Sequence, residues 1–165
     1  MSIWYYVNVT VHVLAAMLWL GGMLFLGVVG APVLRAVDPP ELRQELFHKI
    51  GLRFRIVGWW AIAVLLVTGV INLYFRGWLR WSDALGSPSF WLSVPGHALM
   101  GKLAAVSAML VVSAVHDFAI GPSAGREVAG SPRALQLRRR AALLARVNAL
   151  LGVVVVVAAV RLARG

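Results

Sequence analysis

The stretch VTVHVLAAMLWLGGM, positions 9–23, is written for a non-polar environment except at one point, His12. A neutral imidazole can ligate haem iron or copper, and an ionisable group in lipid is costly enough to need a reason. Further along, HALMGK supplies three more groups of this kind. His97 brings a second imidazole, Met100 a soft thioether, and Lys102 a cation able to meet an anionic ligand group. Asn8, Asn72 and Arg76 are polar residues near the ends of the same apolar runs, while His116, Asp117, Arg53, Arg55, Arg146 and Asn148 form a separate set. The absences narrow the chemistry further. There is no cysteine, which excludes disulfides, Cys-ligated zinc, Fe–S clusters and thiolate catalysis. The chain has no serine–histidine–carboxylate set, and its only carboxylate near an apolar run is Asp117 at a boundary. Hydrolase chemistry is therefore disfavoured.

The elements that must position these groups are transmembrane helices. Hydrophobic residues make up 61% of the 165 and charged residues 13%, with a mean hydropathy of +0.83, too lopsided for a soluble domain. A spanning helix needs roughly 20 mostly apolar residues. Four stretches qualify, at about 3–34, 56–75, 97–120 and 142–160. They predict an all-α integral membrane protein, one domain over residues 1–165, folded as an antiparallel bundle of four transmembrane helices. MSIWYY lacks the charged region and cleavage site of a signal peptide, so the first run reads as a retained span.

The connections carry their own signals. DPPELRQELFHKIGLRFR opens on Pro39-Pro40 and spaces Leu42, Leu46 and Ile50 at helical intervals. It predicts a short cytoplasmic amphipathic helix lying on the membrane between the first two spans, with His48 solvated. The second connection mixes Trp78, Trp81, Phe90 and Trp91 with Gly, Ser and Pro, as an interfacial loop does. The third, GPSAGREVAGSPRALQLRRR, reads as a polar, mobile loop before a basic helix start. The net charge of +10 lies in these connections, where membrane topology rather than nucleic acid accounts for it. Arg35, Arg43, Lys49, Arg53 and Arg55 fall on the first connection, and Arg126, Arg133, Arg138, Arg139, Arg140 and Arg146 on the third. The other side holds only Arg76, Arg80, Arg161 and Arg164. The positive-inside rule places both termini outside and the first and third connections in the cytoplasm.

Depth sorts the polar residues into two groups. At about 1.5 Å of rise per residue, His12 lies roughly 10 Å below the aromatic belt of Trp4, Tyr5 and Tyr6, with Asn8 one turn above it. On the antiparallel second span Asn72 and Arg76 reach the same outer level, and the third span enters there with His97, Met100 and Lys102. His116 lies about 28 Å further along that helix, so it belongs with Asp117, Arg53, Arg55, Arg146 and Asn148 at the inner face. That inner set reads as structural, the arginines clamping Asp117 to tie helix ends together. On the first helix His12, Ala16, Trp19 and Met23 form one stripe; on the third, Lys102, Met109 and His116 share a face. A lone His in a span also has a plain reading, as a hydrogen-bond partner for a neighbouring helix.

Taken in order, HVLAAMLWLGG, RFRIVGWW…TGVINL, GHALMGKLAAVSAML…HDFAIGP and RVNALLG resemble the CopD-type copper-resistance membrane proteins. More distantly, they resemble the HemJ-type protoporphyrinogen oxidases. The first resemblance implies copper uptake or resistance across the inner membrane. The second implies haem b, with His12 at the position of the haem-binding His and Lys102 matching the Lys of the third span. Met100 stands where HemJ-type sequences carry a further His, a departure that leaves a haem site open because Met is also an axial ligand.

The first functional expectation is thus a haem b-binding membrane protein with a site near the outer leaflet and a role in electron transfer or redox chemistry. A haem-dependent oxidoreductase falls within it. His12 is the axial ligand, Met100 or His97 the second, Trp19 a wall, and Arg76 and Lys102 the propionate partners beside Asn72. The alternative is a CopD-like protein that binds or imports copper through His12, Met100 and His97. A cofactor-free structural subunit of a membrane complex is the third reading. Expected surroundings are the lipid bilayer of the cell's inner (plasma) membrane, with a quinone or redox-protein partner and homo-oligomerisation left open, and no nucleic acid.

Overall fold

Apolar segments in lipid have no water to satisfy their backbone groups, so they close their hydrogen bonds internally as helices. The computed structural model describes residues 2–79, 84–128 and 130–164, and among them there is no strand. Arg80 and Trp81 lie outside the described residues. The chain builds α1 (Ile3–Arg35), α2 (Pro40–Phe75), a short α3 (Pro88–Trp91), α4 (Val94–Arg126) and α5 (Pro132–Arg164). All but α3 are long and apolar enough to cross a membrane. Both α1 and α4 contain a π-helical turn, at Leu26–Gly30 and Val115–Ile120.

Local chemistry sets the ends. Pro39 precedes α2, whose first residue is Pro40, a position where a missing N–H costs nothing. After α2 the chain turns at Gly77, whose φ of 75° is left-handed and favours glycine. Ser93 caps α4, its Oγ accepting from Gly96 N at 3.3 Å, and Ser131 caps α5 through Ala134 N at 3.2 Å.

The helices pack as two hairpins, α1 with α2 and α4 with α5. Lipid gives apolar side chains no reason to bury, so close approach depends on small residues. Gly22 lies against the Phe54 ring, where a Cβ would come within 2.5 Å of it, and Gly58 faces Trp19. In the second hairpin Met109, 2% exposed, packs at Gly152, which also receives Leu20 from α1. Elsewhere Val11, Leu14, Met17 and Leu18 point outward, as lipid-facing residues do.

Two expectations about the connections are corrected. The amphipathic segment is not a separate surface helix: Pro40–Arg55 is the first part of a continuous α2 of 36 residues. At about 54 Å this helix outruns a hydrocarbon core of about 30 Å. Between Pro40 and Phe75 only Gly51, Gly58 and Gly69 weaken it, each by roughly 1 kcal/mol relative to Ala, which does not break a helix. The extension leans on protein rather than lipid, since Gln44 donates to the Glu127 carbonyl at 3.2 Å and accepts from Arg138 at 2.6 Å. The third connection is also largely helical. A last stretch, Gly121–Arg126, completes α4, and α5 begins at Pro132, ahead of the expected 142, because Ser131-Pro132 supplies a cap and a favoured first residue.

Candidate functional site between the two hairpins

Polar residues gather at two levels. On the side opposite the basic connections, α1 and α2 are locked together. Asn8 Nδ2 donates to Asn72 Oδ1 at 2.9 Å and to the Thr68 carbonyl at 3.0 Å. The Thr68 hydroxyl donates to the Val64 carbonyl at 2.6 Å, so at 2.7 Å it accepts from His12 Nδ1. His12 Nε2 then carries the lone pair. Lys102 is within electrostatic reach of His12 and Arg76. Asn8, His12, Asn72, Arg76 and Lys102 therefore share one level, as the rise per residue implies.

Met100 and His97 do not join them. Met100 is 50% exposed, and His97 is also exposed. Successive helical residues are about 100° apart, so with Lys102 turned inward Met100 lies roughly 200° around the helix from it. The three-donor set of His12, Met100 and His97 is not assembled, and neither is a haem axial pair drawn from it. Among the described residues no group of three or more His, Cys, Asp or Glu is placed to hold a metal. Trp19 is also displaced from the expected site, lining a cavity nearer the basic connections.

That cavity, about 660 Å³, lies between the hairpins, with Trp19, Phe54, Trp59 and Ile62 among its walls. His116 and Asp117 line it from the π-helical turn of α4, a feature that often marks functional sites. Asp117 is the hub. One carboxylate oxygen accepts from His116 Nδ1 at 2.8 Å and the other from Trp59 Nε1 at 2.9 Å, while Arg55 Nη1 donates to its backbone carbonyl at 3.0 Å. The Arg55 guanidinium lies 5.9 Å from the Phe118 ring centre, and the Phe118 and Trp59 rings are 5.5 Å apart. Across the cavity Asn148, 5% exposed, donates to Ser113 Oγ at 2.8 Å and to Met23 Sδ at 3.5 Å. Its Oδ1 has no partner.

The expected inner clamp is therefore partly redrawn. Arg55 does tie α2 to α4, but through the Asp117 backbone. The carboxylate goes to Trp59 and His116, while Arg53 and Arg146 are exposed. Sequence reasoning offers Trp59 only as one of several aromatic residues available for a wall, and Met23 only as one of three methionines between the two levels; it misses Ser113 and Thr68 as site residues. Of these two, Thr68 left a usable trace, lying one helical turn from Asn72 on a face already marked as polar.

Comparison with known proteins fixes the family. Residues 48–162 match the family described as copper resistance protein D. The chain belongs to the CopD family. It is also 45% identical over 64 residues to a protein of Aquifex aeolicus (strain VF5) described only as uncharacterized, across 38% of this chain and 43% of that one. The match thus spans less than half of that relative's length. No solved structure matches. CopD membership makes this a copper-related, multi-pass membrane protein and ranks copper above haem b.

Proposed function

We propose that this CopD-family chain is a copper-handling protein of the cell's inner membrane that takes Cu(I) as cargo in the cavity between its hairpins. The donors are Met23 Sδ and His116 Nε2. The observation that carries this reading is the Asp117–His116 hydrogen bond in a cavity that Met23 also lines. A carboxylate has no proton of its own to give when ionised, so His116 Nδ1 donates and Nε2 is left with its lone pair. A carboxylate behind the imidazole is the usual support of a metal-ligating His. Asn148 links the helices that carry the donors: it bonds Met23 directly and Ser113, one helical turn before His116. Thioether sulfur selects Cu(I) over harder cations.

His12 and Met109 extend the interior line of donors toward the far side. Met109 lies seven residues beyond Lys102, about 10 Å along α4, so they are way-points for cargo rather than members of one site. By the positive-inside rule the basic connections face the cytoplasm and the termini lie outside. The cavity then serves the cytoplasmic end.

The test is an anaerobic competition titration of the purified protein against a chromophoric Cu(I) chelator. One Cu(I) per chain is expected. His116→Ala and Met23→Leu each weaken it tenfold or more, while His97→Ala leaves it unchanged. A wild type that binds no Cu(I), or one equally indifferent to His116 and Met23, overturns the reading.

A further inference from the structure

A copper ion fills little of this cavity. A water-sized occupant takes about 30 Å³, against about 660 Å³ available. The rest of the space is not sealed. Leu24, Val28, Leu150 and Val153 line it, and all four are exposed on the apolar exterior of the bundle. The cavity therefore opens sideways between the hairpins into the hydrocarbon of the membrane.

Its charge is one-sided. Arg35, Arg55 and Arg146 line it. The ion pairs of the described residues are Lys49–Glu45, Arg133–Glu127 and His116–Asp117, and include none of these arginines. The lining acid is Asp117, whose oxygens are already taken by Trp59 and His116. Depth places the charges at the headgroups. Counting about 30 Å of hydrocarbon from the belt at Trp4–Tyr6 along α1 reaches the neighbourhood of residue 25. Met23, near that level, meets Asn148, and Gly22 meets Phe54, so Arg55 and Arg146 sit at the hydrocarbon edge, from which a long arginine side chain reaches the lipid phosphates. Arg35, further along α1, reaches the same zone from beyond it.

We propose that this cavity binds one anionic phospholipid. Its phosphate pairs with Arg146 and Arg35, and one acyl chain lies in the gap beside Leu150 and Val153. Arg55 stays on the Asp117 carbonyl and contributes its field. Basic pockets between transmembrane helices are known hosts for anionic headgroups. The proposal does not rest on the copper reading, since neither arginine is a copper donor.

The experiment is native mass spectrometry of the full chain after exchange into equal amounts of phosphatidylglycerol and phosphatidylcholine with the same acyl chains. The wild type is expected to retain one phosphatidylglycerol per chain in clear preference. An arginine near the headgroups is worth about fivefold, so Arg35→Gln with Arg146→Gln lowers that preference about 25-fold. Arg146→Gln alone lowers it about fivefold and keeps the test readable if the double variant fails to fold. Arg53→Gln, exposed and outside the cavity, leaves it intact. Equal retention of the two lipids by the wild type overturns the proposal, as does a loss in Arg53→Gln matching that in Arg146→Gln. Cu(I) titration of the same samples separates the two readings: a wild type that selects phosphatidylglycerol but binds no copper sinks only the copper one.

Discussion

Asp117→Asn separates what the Asp117 hub does for the fold from what it does for the site. The carboxylate accepts two hydrogen bonds, from Trp59 Nε1 at 2.9 Å and His116 Nδ1 at 2.8 Å. An amide at this position has one oxygen and one NH2, so it cannot accept from both. Indole N–H is only a donor, whereas imidazole can exchange donor and acceptor nitrogens. The amide oxygen therefore stays on Trp59, and its NH2 turns to His116 Nδ1. That reverses the tautomer, moves the proton to Nε2 and removes the lone pair through which His116 would hold Cu(I). The structural loss is the difference between a charge-assisted and a neutral hydrogen bond, about 1 kcal/mol. The loss in metal affinity is that of a disrupted outer-shell partner, about 10–100-fold. Asp117→Ala acts differently, leaving the Trp59 N–H without a partner at a further cost of about 1–3 kcal/mol. The assay pairs Cu(I) chelator competition with thermal unfolding followed by circular dichroism in one detergent. Expected for Asp117→Asn is a small change in melting with a large loss of affinity. If affinity is unchanged while His116→Ala abolishes it, the tautomer argument is wrong.

Three further outcomes follow from the same contacts. Thr68→Val removes the hydroxyl between His12 and the Val64 carbonyl and lowers stability by about 1–2 kcal/mol, read by thermal melting, without altering Cu(I) affinity in the distant cavity. Met100→Leu combined with His97→Ala leaves both stability and Cu(I) stoichiometry unchanged, because both side chains face outward. The chain has no cysteine, so exposed Ser2→Cys and Ser123→Cys variants report orientation against a clean background. A membrane-impermeant maleimide is expected to label Ser2→Cys in intact cells and Ser123→Cys only after permeabilisation.

Much of this architecture was legible because the bilayer fixes length and the helix fixes rise. The four spans follow from apolar run length alone. The shared level of Asn8, His12, Asn72 and Lys102 follows from counting residues along antiparallel helices. Facing direction was less accessible. Counting put Met100 beside Lys102, but the two positions differ by about 200° around the helix, and nothing local says which turns inward. Trp59 and Trp60 make the same point: Trp59 bonds Asp117 while its neighbour is 72% exposed to lipid. Adjacent identical residues carry no signal to separate them. The continuity of α2 was hidden by composition, since a charged segment feeding an apolar one resembles two elements when the backbone sees one uninterrupted helix.

The two polar levels serve different mechanical ends. Among the described residues, the hydrogen bonds of Asn8, His12, Thr68 and Asn72 run between α1 and α2 or, from Thr68 to Val64, within α2, so they stiffen one hairpin. The cavity residues join the two hairpins. Arg55 and Trp59 reach from α2 to Asp117 on α4, and Asn148 on α5 reaches Met23 on α1. Polar bonds that join the hairpins in the membrane thus gather around the cavity, whose other walls, Arg35, Arg146, His116 and Ser113 apart, are small or apolar. An ion bound by Met23 on one hairpin and His116 on the other would draw the hairpins together, and a lipid chain between them would hold them apart. Copper and lipid would then oppose each other across the same gap. Cu(I) affinity is accordingly expected to fall as phosphatidylglycerol replaces phosphatidylcholine around the wild type. In Arg35→Gln/Arg146→Gln it is expected to stay level, measured by the same chelator competition in nanodiscs of graded composition. A wild-type affinity that does not change with lipid, while both ligands bind, would mean that the gap is wide enough for the two together and that the hairpins do not move.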